Sequence, residues 1–300
     1  MRDLCKISIV ALSSALILVL VLFLLINPFT LSSAGSSASV HVIRVYAAPV
    51  VARYIDNITP IFEEWAAARG LRVKIEVTYG ASGTLLNRIN ISREGDVYIP
   101  ADSDWILRAS RSNLIYGETI RVLSWQIIAI ITPKGNPAKI STIHDLARPG
   151  LKIAIPDPVN APAGRIALEI LRKKNLYDSV KNNLVILPDI AQVTKQILSK
   201  SVDAALAWSS IHSWYPNETE IIWLDQSDLV YSSCVAAAVL KTTSNYAIAR
   251  LFVEFLVDYL RENRDWAARN GYIVDRETLR IATPYTSIPG DEFKLCGSLG

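Results

Sequence analysis

The sequence predicts an α/β protein of two lobes, and three observations support this fold class. Strand-like and helix-like patterns alternate from His41 to about residue 282, as in layered α/β folds. The alternation comes in two similar sets, one on each side of Gln126. The chain has 300 residues, which is enough for two lobes that each bury a core.

Residues 42–125 contain the first set, which we expect to form the first part of lobe 1. "VIRVYAA" alternates like a half-buried strand, and the run that starts at Pro49 has a helical pattern. Thr59-Pro60 is expected to kink or restart this helix. The strand "LRVKIEV", the turn "TYGASGT", a helix to about Ile91 and the strand–helix segment "DVYIPADSDWILRAS" complete the set.

Residues 126–229 contain the second set, the predicted lobe 2. It opens with "IIAIITP", a continuous apolar run typical of a strand buried in a parallel sheet. "LKIAIPD" and "VDAALAWSS" are further strands, and a helix follows the loop "DPVNAPAG". Residues 230–282 return to lobe 1 with a strand around "LVYSSCVAAAVLK" and an amphipathic helix, whereas residues 283–300 form a tail without periodicity.

The N-terminus is set apart from both lobes. Residues 1–6 carry basic residues, and residues 7–27 form an apolar run about as long as a bilayer-spanning helix needs. Basic residues on this flank place residues 1–6 in the cytoplasm and the remaining chain outside. We predict a retained membrane anchor, with cleavage within residues 32–39 as the alternative, and a Ser-rich tether over residues 28–41.

Composition and charge argue against several other functions. The 31 basic and 28 acidic residues leave a net charge of +3, which is too balanced for a nucleic-acid-binding protein. His41, His144 and His212 have no Cys or carboxylate at metal-ligand spacing, so we expect no metal site and no cofactor. Because Cys5 falls on the cytoplasmic side, Cys234 and Cys296 can form at most one disulfide.

The loops that follow the predicted strands share one composition. "YAAPV", "YGASGT", "YIPADSDW", "DPVNAPAGR" and "AWSSIHS" are rich in Ala, Gly and Ser and contain few cations. Ligands bind at this edge of an α/β sheet, so the loops predict a cage of neutral hydrogen-bond donors. Within the second loop, Ser82 or Thr84 either caps the following helix or donates to a ligand at the helix N-terminus; the sequence leaves both hypotheses open.

These loops and their flanking segments resemble the molybdate-type periplasmic binding proteins of ABC importers. The resemblance covers about residues 42–275 and is strongest in "GASGTL" and in "DP" followed by "PAG". It implies a two-lobed class II periplasmic-binding-protein fold that holds a tetrahedral oxyanion in the cleft between the lobes. It also implies a monomer, not an enzyme, that delivers its ligand to a membrane permease and its ATPase.

The resemblance further implies a set of ligand-binding positions. Ser82 corresponds to a hydroxyl donor, and Trp208 stands where the family usually has a tyrosine. No serine occurs near Val50 in the first loop, so fewer hydroxyls would hold the ligand, or Ser209 and Ser210 would replace them. The expected site consists of Ala48, Ser82, Ala101, Ala163, Ile190, Trp208 and Ser209, with Ala101, Ala163 and Ile190 as backbone N–H donors.

Several alternatives concern the ligand and the activity. Ala161 replaces a carboxylate of tungstate-selective relatives, which favours a four-coordinate oxyanion, either molybdate or tungstate. A phosphate or sulfate binding protein is the alternative, since Asp102 or Asp104 would accept the proton of phosphate if it pointed inward. Other hypotheses are a membrane-tethered sensor and a hydrolase that uses Asp157 with Ser82 or His212. Arg165 either approaches the anion or lies on the rim.

Overall fold

Two five-stranded sheets organise the protein, and the computed structural model describes residues 39–230 and 233–287. The first sheet has the order β2-β1-β3-β10-β4 and the second has the order β7-β6-β8-β5-β9. The strands of the first sheet are β1 (His41–Ala47), β2 (Val73–Tyr79), β3 (Val97–Ile99), β4 (Arg121–Gln126) and β10 (Ser233–Val239). The strands of the second sheet are β5 (Ile128–Pro133), β6 (Ile153–Pro156), β7 (Leu184–Leu187), β8 (Ala204–Trp208) and β9 (Thr219–Ile222).

Helices cover both sheets, and each sheet with its helices is called a lobe below. Lobe 1 contains α1 (Ala52–Ala67), α2 (Ser82–Ser92), α3 (Ser103–Arg111), α8 (Tyr246–Glu262), α9 (Arg264–Arg269) and α10 (Arg276–Ala282). Lobe 2 contains α4 (Pro162–Lys173), α5 (Tyr177–Val180), α6 (Ile190–Leu198) and α7 (Ser210–Trp214). Short 3-10 turns lie at Pro49–Val51, Gly117–Thr119, Ile143–Ala147 and Lys181–Asn183.

The two sheets follow one plan. In lobe 1, β1 is parallel to β2 and β3, and β10 is antiparallel to β3 and β4. In lobe 2, β6 is parallel to β7 and β8, and β5 is antiparallel to β8 and β9. The α/β prediction is therefore confirmed, but the orientation predicted for "IIAIITP" is wrong. All residues of β5 are buried, as the apolar run indicated, yet both of its neighbours run antiparallel to it.

The prediction for Thr59-Pro60 was a kink or a restart of the long first helix, and the restart does not occur. α1 continues through Pro60 and does not restart there. Its buried residues Ile55, Ile58 and Phe62 lie on both sides of the proline and belong to the main core. The Phe62 ring meets that of Phe252 in α8 at 5.0 Å between centroids. Packing of this face stabilises the helix across the position that lacks an N–H.

The chain passes between the lobes where β4 ends at Gln126 and β5 begins at Ile128, and again between β9 and β10. We therefore propose lobe boundaries near residues 127 and 230. The C-terminal segment is bonded to both parts of the chain that flank these crossings. Trp125 N in β4 donates to Ile273 O at 2.7 Å, and Tyr285 Oη donates to Leu224 O, just after β9, at 2.5 Å.

Several predicted features fall outside the described residues. These are the cytoplasmic residues 1–6, the anchor 7–27, the tether up to residue 38, the tail beyond residue 287, Cys5 and Cys296. Cys234, which is buried in β10, is disulfide-bonded. Within the described part of the chain, no helix combines the length and the apolar character that a membrane crossing requires.

Candidate functional site

A small pocket lies between the lobes, at the carboxyl ends of the parallel strands. Its volume is about 20 Å³. On this scale one water molecule needs about 10–15 Å³, so the pocket admits one small ligand. Lobe 1 lines it with Ala48, Pro49, Val50, Ala81, Ser82 and Ala101, and lobe 2 with Pro156, Ala161, Pro162, Ala163, Asp189, Ile190 and Trp208.

Three helices begin at this pocket. Ser82 is the first residue of α2, Ala163 the second of α4 and Ile190 the first of α6. N–H groups at these positions have no acceptor within their own helix. Since α2 belongs to lobe 1 and the other two helices to lobe 2, the positive ends of the helix dipoles meet at one point from both sides of the cleft.

Ser82 does not cap its helix, so the capping hypothesis for this residue is wrong. The N-cap of α2 is Ala81, which makes no side-chain cap bond. The Ser82 hydroxyl instead accepts a hydrogen bond from Ala101 N at 3.1 Å. A hydroxyl that accepts in this way keeps its own proton to donate. The side chain is almost fully buried and lines the pocket.

Tyr98 also holds the start of α2 in place. Its hydroxyl donates to the Ser82 carbonyl at 2.8 Å. Burial raises the pKa of Tyr98 well above its usual value, so this hydroxyl stays protonated and remains a donor. β3 and the loop after it therefore hold Ser82 at two points, its carbonyl through Tyr98 and its hydroxyl through Ala101.

Two glycines allow the close approach of these elements. A Cβ on Gly83 would lie 2.5 Å from Trp105 Cη2 and 2.7 Å from Asn160 Oδ1. A Cβ on Gly164 would lie 2.0 Å from the carbonyl oxygen of Pro156. Glycine therefore lets α2 meet the opposite lobe, and it lets the first turn of α4 sit against the end of β6.

In the first loop, the residue predicted to bind the ligand, Ala48, differs from the residue whose N–H is available, Val50. Ala48 lines the pocket, but its N–H donates to Ile99 O at 2.8 Å and is not free for a ligand. Val50 also lines the pocket and is the second residue of the turn Pro49–Val51. Its N–H has no acceptor within that turn. Pro49 is the residue that could have indicated this backbone donor in the sequence, because proline is typical of the first position of a helical turn.

The last predicted loop contributes one residue to the pocket. Trp208 ends β8, is almost fully buried and lines the pocket. Ser209 does not line it, and its N–H donates to Ile127 O at 2.9 Å. Ser210 is buried against Gly271 and is likewise absent from the lining. The structure thus brings together six of the seven predicted residues and leaves out Ser209.

The described residues of the pocket lining include no Lys or Arg, and the single charged residue among them is Asp189. Asp189 is the N-cap of α6, and its carboxylate accepts from Gln192 N at 3.0 Å. Asp102 and Asp104 lie outside the lining, so neither is the inward-pointing proton acceptor considered above. Both form ion pairs with Arg165, which therefore lies on the rim.

The groups of a hydrolase are not assembled. The Asp157 carboxylate accepts from Val159 N and from Asn160 Nδ2, at 2.9 and 2.7 Å. His212 Nδ1 lies 3.1 Å from Thr219 Oγ1. Burial and the charge of Lys134 lower the His212 pKa. Among the described residues, no group of three or more His, Cys, Asp and Glu side chains is arranged to hold a metal ion.

Two similar sheets with a small donor-lined pocket between them define a two-lobed solute-binding protein. Residues 43–272 match the family of bacterial extracellular solute-binding proteins, and the chain belongs to that family.

Among its relatives, the molybdate-binding protein ModA of Mycobacterium tuberculosis is 26% identical over 223 residues, which cover 74% of this chain and 81% of that protein. ModA of Rhodobacter capsulatus is 24% identical, with 70% of this chain and 83% of that protein covered.

Solved structures share the fold. The periplasmic molybdate-binding protein of Azotobacter vinelandii aligns with a TM-score of 0.63 and 16% identity, covering 78% of this chain and 99% of that one. The sulfate-binding protein SubI of Mycobacterium tuberculosis aligns with a TM-score of 0.70 and 16% identity, covering 83% and 92%. The predicted class II periplasmic-binding-protein fold is confirmed. The chain is the substrate-binding component of an ABC transporter, a class of protein that acts outside the cytoplasm.

Proposed function

We propose that this protein captures a tetrahedral oxyanion, molybdate or tungstate, in the pocket between its lobes and delivers it to a membrane permease driven by an ATPase. The observation that carries the proposal is the convergence of three helix N-termini on a pocket whose described lining residues include no Lys or Arg. A buried dianion loses its hydration, and charge-assisted hydrogen bonds from fixed N–H and O–H groups offset that loss.

The proposed donors come from both lobes. Lobe 1 supplies the Ser82 hydroxyl and the N–H groups of Ser82 and Val50, and lobe 2 supplies the N–H groups of Ala163 and Ile190. Trp208 contributes its indole N–H in place of a tyrosine hydroxyl. Ala101 acts through Ser82, whose hydroxyl it orients, and Ala48 shapes the wall. Each hydrogen bond to a charged ligand is worth about 1.5–3 kcal/mol.

The donor set also bears on which anion binds. Molybdate, tungstate and sulfate are fully ionised near neutral pH and only accept hydrogen bonds, whereas phosphate keeps a proton and needs an acceptor. The only carboxylate among the described residues of the lining, that of Asp189, already accepts from Gln192 N. The relatives named for molybdate favour molybdate. Sulfate is the second candidate, because a sulfate-binding protein of Synechococcus elongatus is 29% identical over 140 residues.

Ligand titration of the full-length protein tests the proposal. Molybdate, tungstate, sulfate and phosphate are added separately, and affinity is measured by calorimetry and by thermal unfolding. A ligand at one hundred times its dissociation constant should add about 2.7 kcal/mol to the free energy of unfolding. We expect molybdate or tungstate to bind most tightly. Tighter binding of sulfate or phosphate would overturn the assignment of the anion.

We also propose that the protein works as a monomer held in the membrane by residues 7–27. The length of the apolar run and the basic residues on one flank support a retained anchor. N-terminal sequencing of the native protein should find the intact terminus, and a start near Gly35 would show a cleaved signal. Sedimentation of the detergent-solubilised protein checks the monomer.

A further inference from the structure

One edge of the cleft is closed by charged groups from opposite lobes. Arg165 lies in the first turn of α4 in lobe 2, and its guanidinium reaches the N-terminus of α3 in lobe 1. Arg165 Nη1 lies 2.8 Å from Asp104 Oδ2, and Arg165 Nη2 lies 3.4 Å from Asp102 Oδ2. Asp102 is also the N-cap of α3, where its carboxylate accepts from Asp104 N at 2.7 Å. Arg165 thus contacts a carboxylate that the fold already holds in place.

A neutral contact joins the lobes at the same edge. Gly83 N donates to Asn160 O at 2.9 Å, so the start of α2 is bonded directly to the loop before α4. Asn160 is held in turn by Asp157, which accepts from its side-chain amide at 2.7 Å. The residues that make the Gly83–Asn160 hydrogen bond and the Arg165 ion pairs lie in the first turns of α2, α3 and α4 or directly before them.

The charge of Asp102 has a consequence for a bound anion. Its side chain is only 5% exposed, and it directly follows Ala101, which lines the pocket. An uncompensated carboxylate at this depth repels a dianion in the pocket. The positive charge of Arg165 comes from the opposite lobe, so it reaches Asp102 and Asp104 only when the cleft is closed. Arg165 therefore couples closure of the cleft to the stability of the bound anion.

We propose that Arg165 is a positioning residue that locks the closed cleft and sets the rate at which the ligand leaves, without contacting the ligand itself. α4 carries both Arg165 and Ala163, so the contact that neutralises Asp102 also seats the Ala163 N–H against the pocket. This inference rests on the proposed function for the identity of the ligand. The closure of the edge can be measured without any ligand.

The test compares Arg165→Gln with Arg148→Gln in the full-length protein. Arg148 is also in lobe 2 and loses the same charge, but its partner Asp145 belongs to the same lobe. Stopped-flow tryptophan fluorescence with molybdate should show release about tenfold faster in Arg165→Gln, with association changed less than about threefold, because breaking a partly buried pair acts mainly on dissociation. Arg148→Gln should match the wild type in both rates.

Hydrogen exchange of the Gly83 amide gives the readout without ligand. Gly83 is the second residue of α2 and has no acceptor within the helix, so its protection depends on the bond to Asn160 across the cleft. We expect its exchange to be about tenfold faster in Arg165→Gln and unchanged in Arg148→Gln. Amides in the later turns of α4 should exchange as in the wild type, whereas a role in holding α4 together would speed their exchange.

The partner residue provides a second check. Asp104→Asn should speed ligand release like Arg165→Gln, and the double variant should be little faster than either single variant. Arg165→Lys keeps the positive charge, so its release rate should lie between those of the wild type and Arg165→Gln. Equal release rates and equal Gly83 exchange in Arg165→Gln and Arg148→Gln would overturn the proposal. A wild-type protein that binds none of the four oxyanions would instead refute the proposed function, and the Gly83 exchange would still decide for or against the lock.

Discussion

The pocket and its rim use charge in opposite ways. Among the residues that the structure describes, the pocket is lined mostly by small and apolar side chains, and its proposed donors are backbone N–H groups, the Ser82 hydroxyl and the Trp208 indole N–H. Just outside it, Arg165 meets Asp102 and Asp104 at one edge. The helix dipoles at the pocket stabilise an anion without a neutralising cation, whereas the ion pairs at the rim join the two lobes. We therefore expect pocket variants to change affinity with little dependence on salt, and rim variants to change rates.

Another part of the cleft is built differently again. A groove of about 640 Å³ opens there, and it shares Pro49 and Ile190 with the pocket lining. Arg53 Nη2 donates to Trp214 O at 3.0 Å, and its guanidinium lies 5.6 Å from the centroid of the Tyr215 ring. Arg53 contacts neutral groups of lobe 2 here, so the lobes meet without an ion pair at this residue.

Gly83→Ala should have the largest effect, because it blocks the contact between the two lobes at the start of α2. The added methyl group would overlap Trp105 and Asn160, which keeps the lobes apart. We expect the affinity for molybdate to fall about a hundredfold, the upper end of the about 1–3 kcal/mol that overpacking costs. Gly80→Ala in the same loop is the control, since its Cβ would meet only the flexible Leu85 side chain at 3.2 Å. Equal affinities in the two variants would contradict the close approach.

Ile190→Pro removes a single pocket donor. Proline suits the first position of a helix, and Asp189 before it is already extended, so the backbone of α6 should remain intact. We expect an affinity loss of about 2–3 kcal/mol relative to Ile190→Ala, which loses the same side chain but keeps the N–H. Calorimetry at low and high salt measures the difference. Identical affinities in the two variants would remove Ile190 N–H from the site.

Ser82→Ala removes the one pocket hydroxyl assigned as a donor. We expect molybdate affinity to fall by about 1.5–3 kcal/mol. Ligand-free stability should also fall, because the hydrogen bond from Ala101 N to the Ser82 hydroxyl is lost, so binding is measured directly by calorimetry. Thr84→Ala, at an exposed position two residues later in α2, should bind like the wild type. If Ser82→Ala does the same, the hydroxyl only orders the loop.

Arg53→Gln should have the smallest effect and should distinguish the rim from the pocket. Loss of one exposed cation beside the groove should slow molybdate association about twofold at low salt and leave dissociation nearly unchanged. Raising the salt concentration should remove the difference. The matched control is Arg69→Gln, since Arg69 is an exposed lobe 1 residue that stacks on Trp65 away from the groove lining. A salt-independent loss in Arg53→Gln would place Arg53 in the binding site.

Local patterns in the sequence were sufficient to predict most of the fold. Alternation predicted β1 and β2, and the apolar face of α8 gave an amphipathic helix. The pattern of β5 showed burial but not direction, because a central strand is covered on both faces in either orientation. The interruption expected at Pro60 did not end α1, since tertiary packing on both sides of the proline outweighed the lost hydrogen bond.

The site was predictable where a side chain marks it and less so where the backbone acts. Ser82 was assigned by its hydroxyl, and six of the seven expected residues line the pocket. Val50 was not assigned, because the resemblance pointed to a serine hydroxyl in the first loop and the helical turn that begins at Pro49 was not considered as a source of backbone donors. The partners of Arg165 lie about 60 positions earlier in the chain, so only the folded structure shows that it joins the lobes.

The order of strands in lobe 1 has a consequence for how the chain folds as it is made. Lobe 2 is continuous, and its sheet needs only residues 128–222. β3 and β4 of lobe 1, by contrast, have no partner between them until β10 arrives more than 100 residues later. Contacts of such sequence separation form slowly, and domains fold as their segments emerge. Lobe 2 can therefore be complete while lobe 1 still lacks β10, and the sheet that supports Ser82 is the last to be completed.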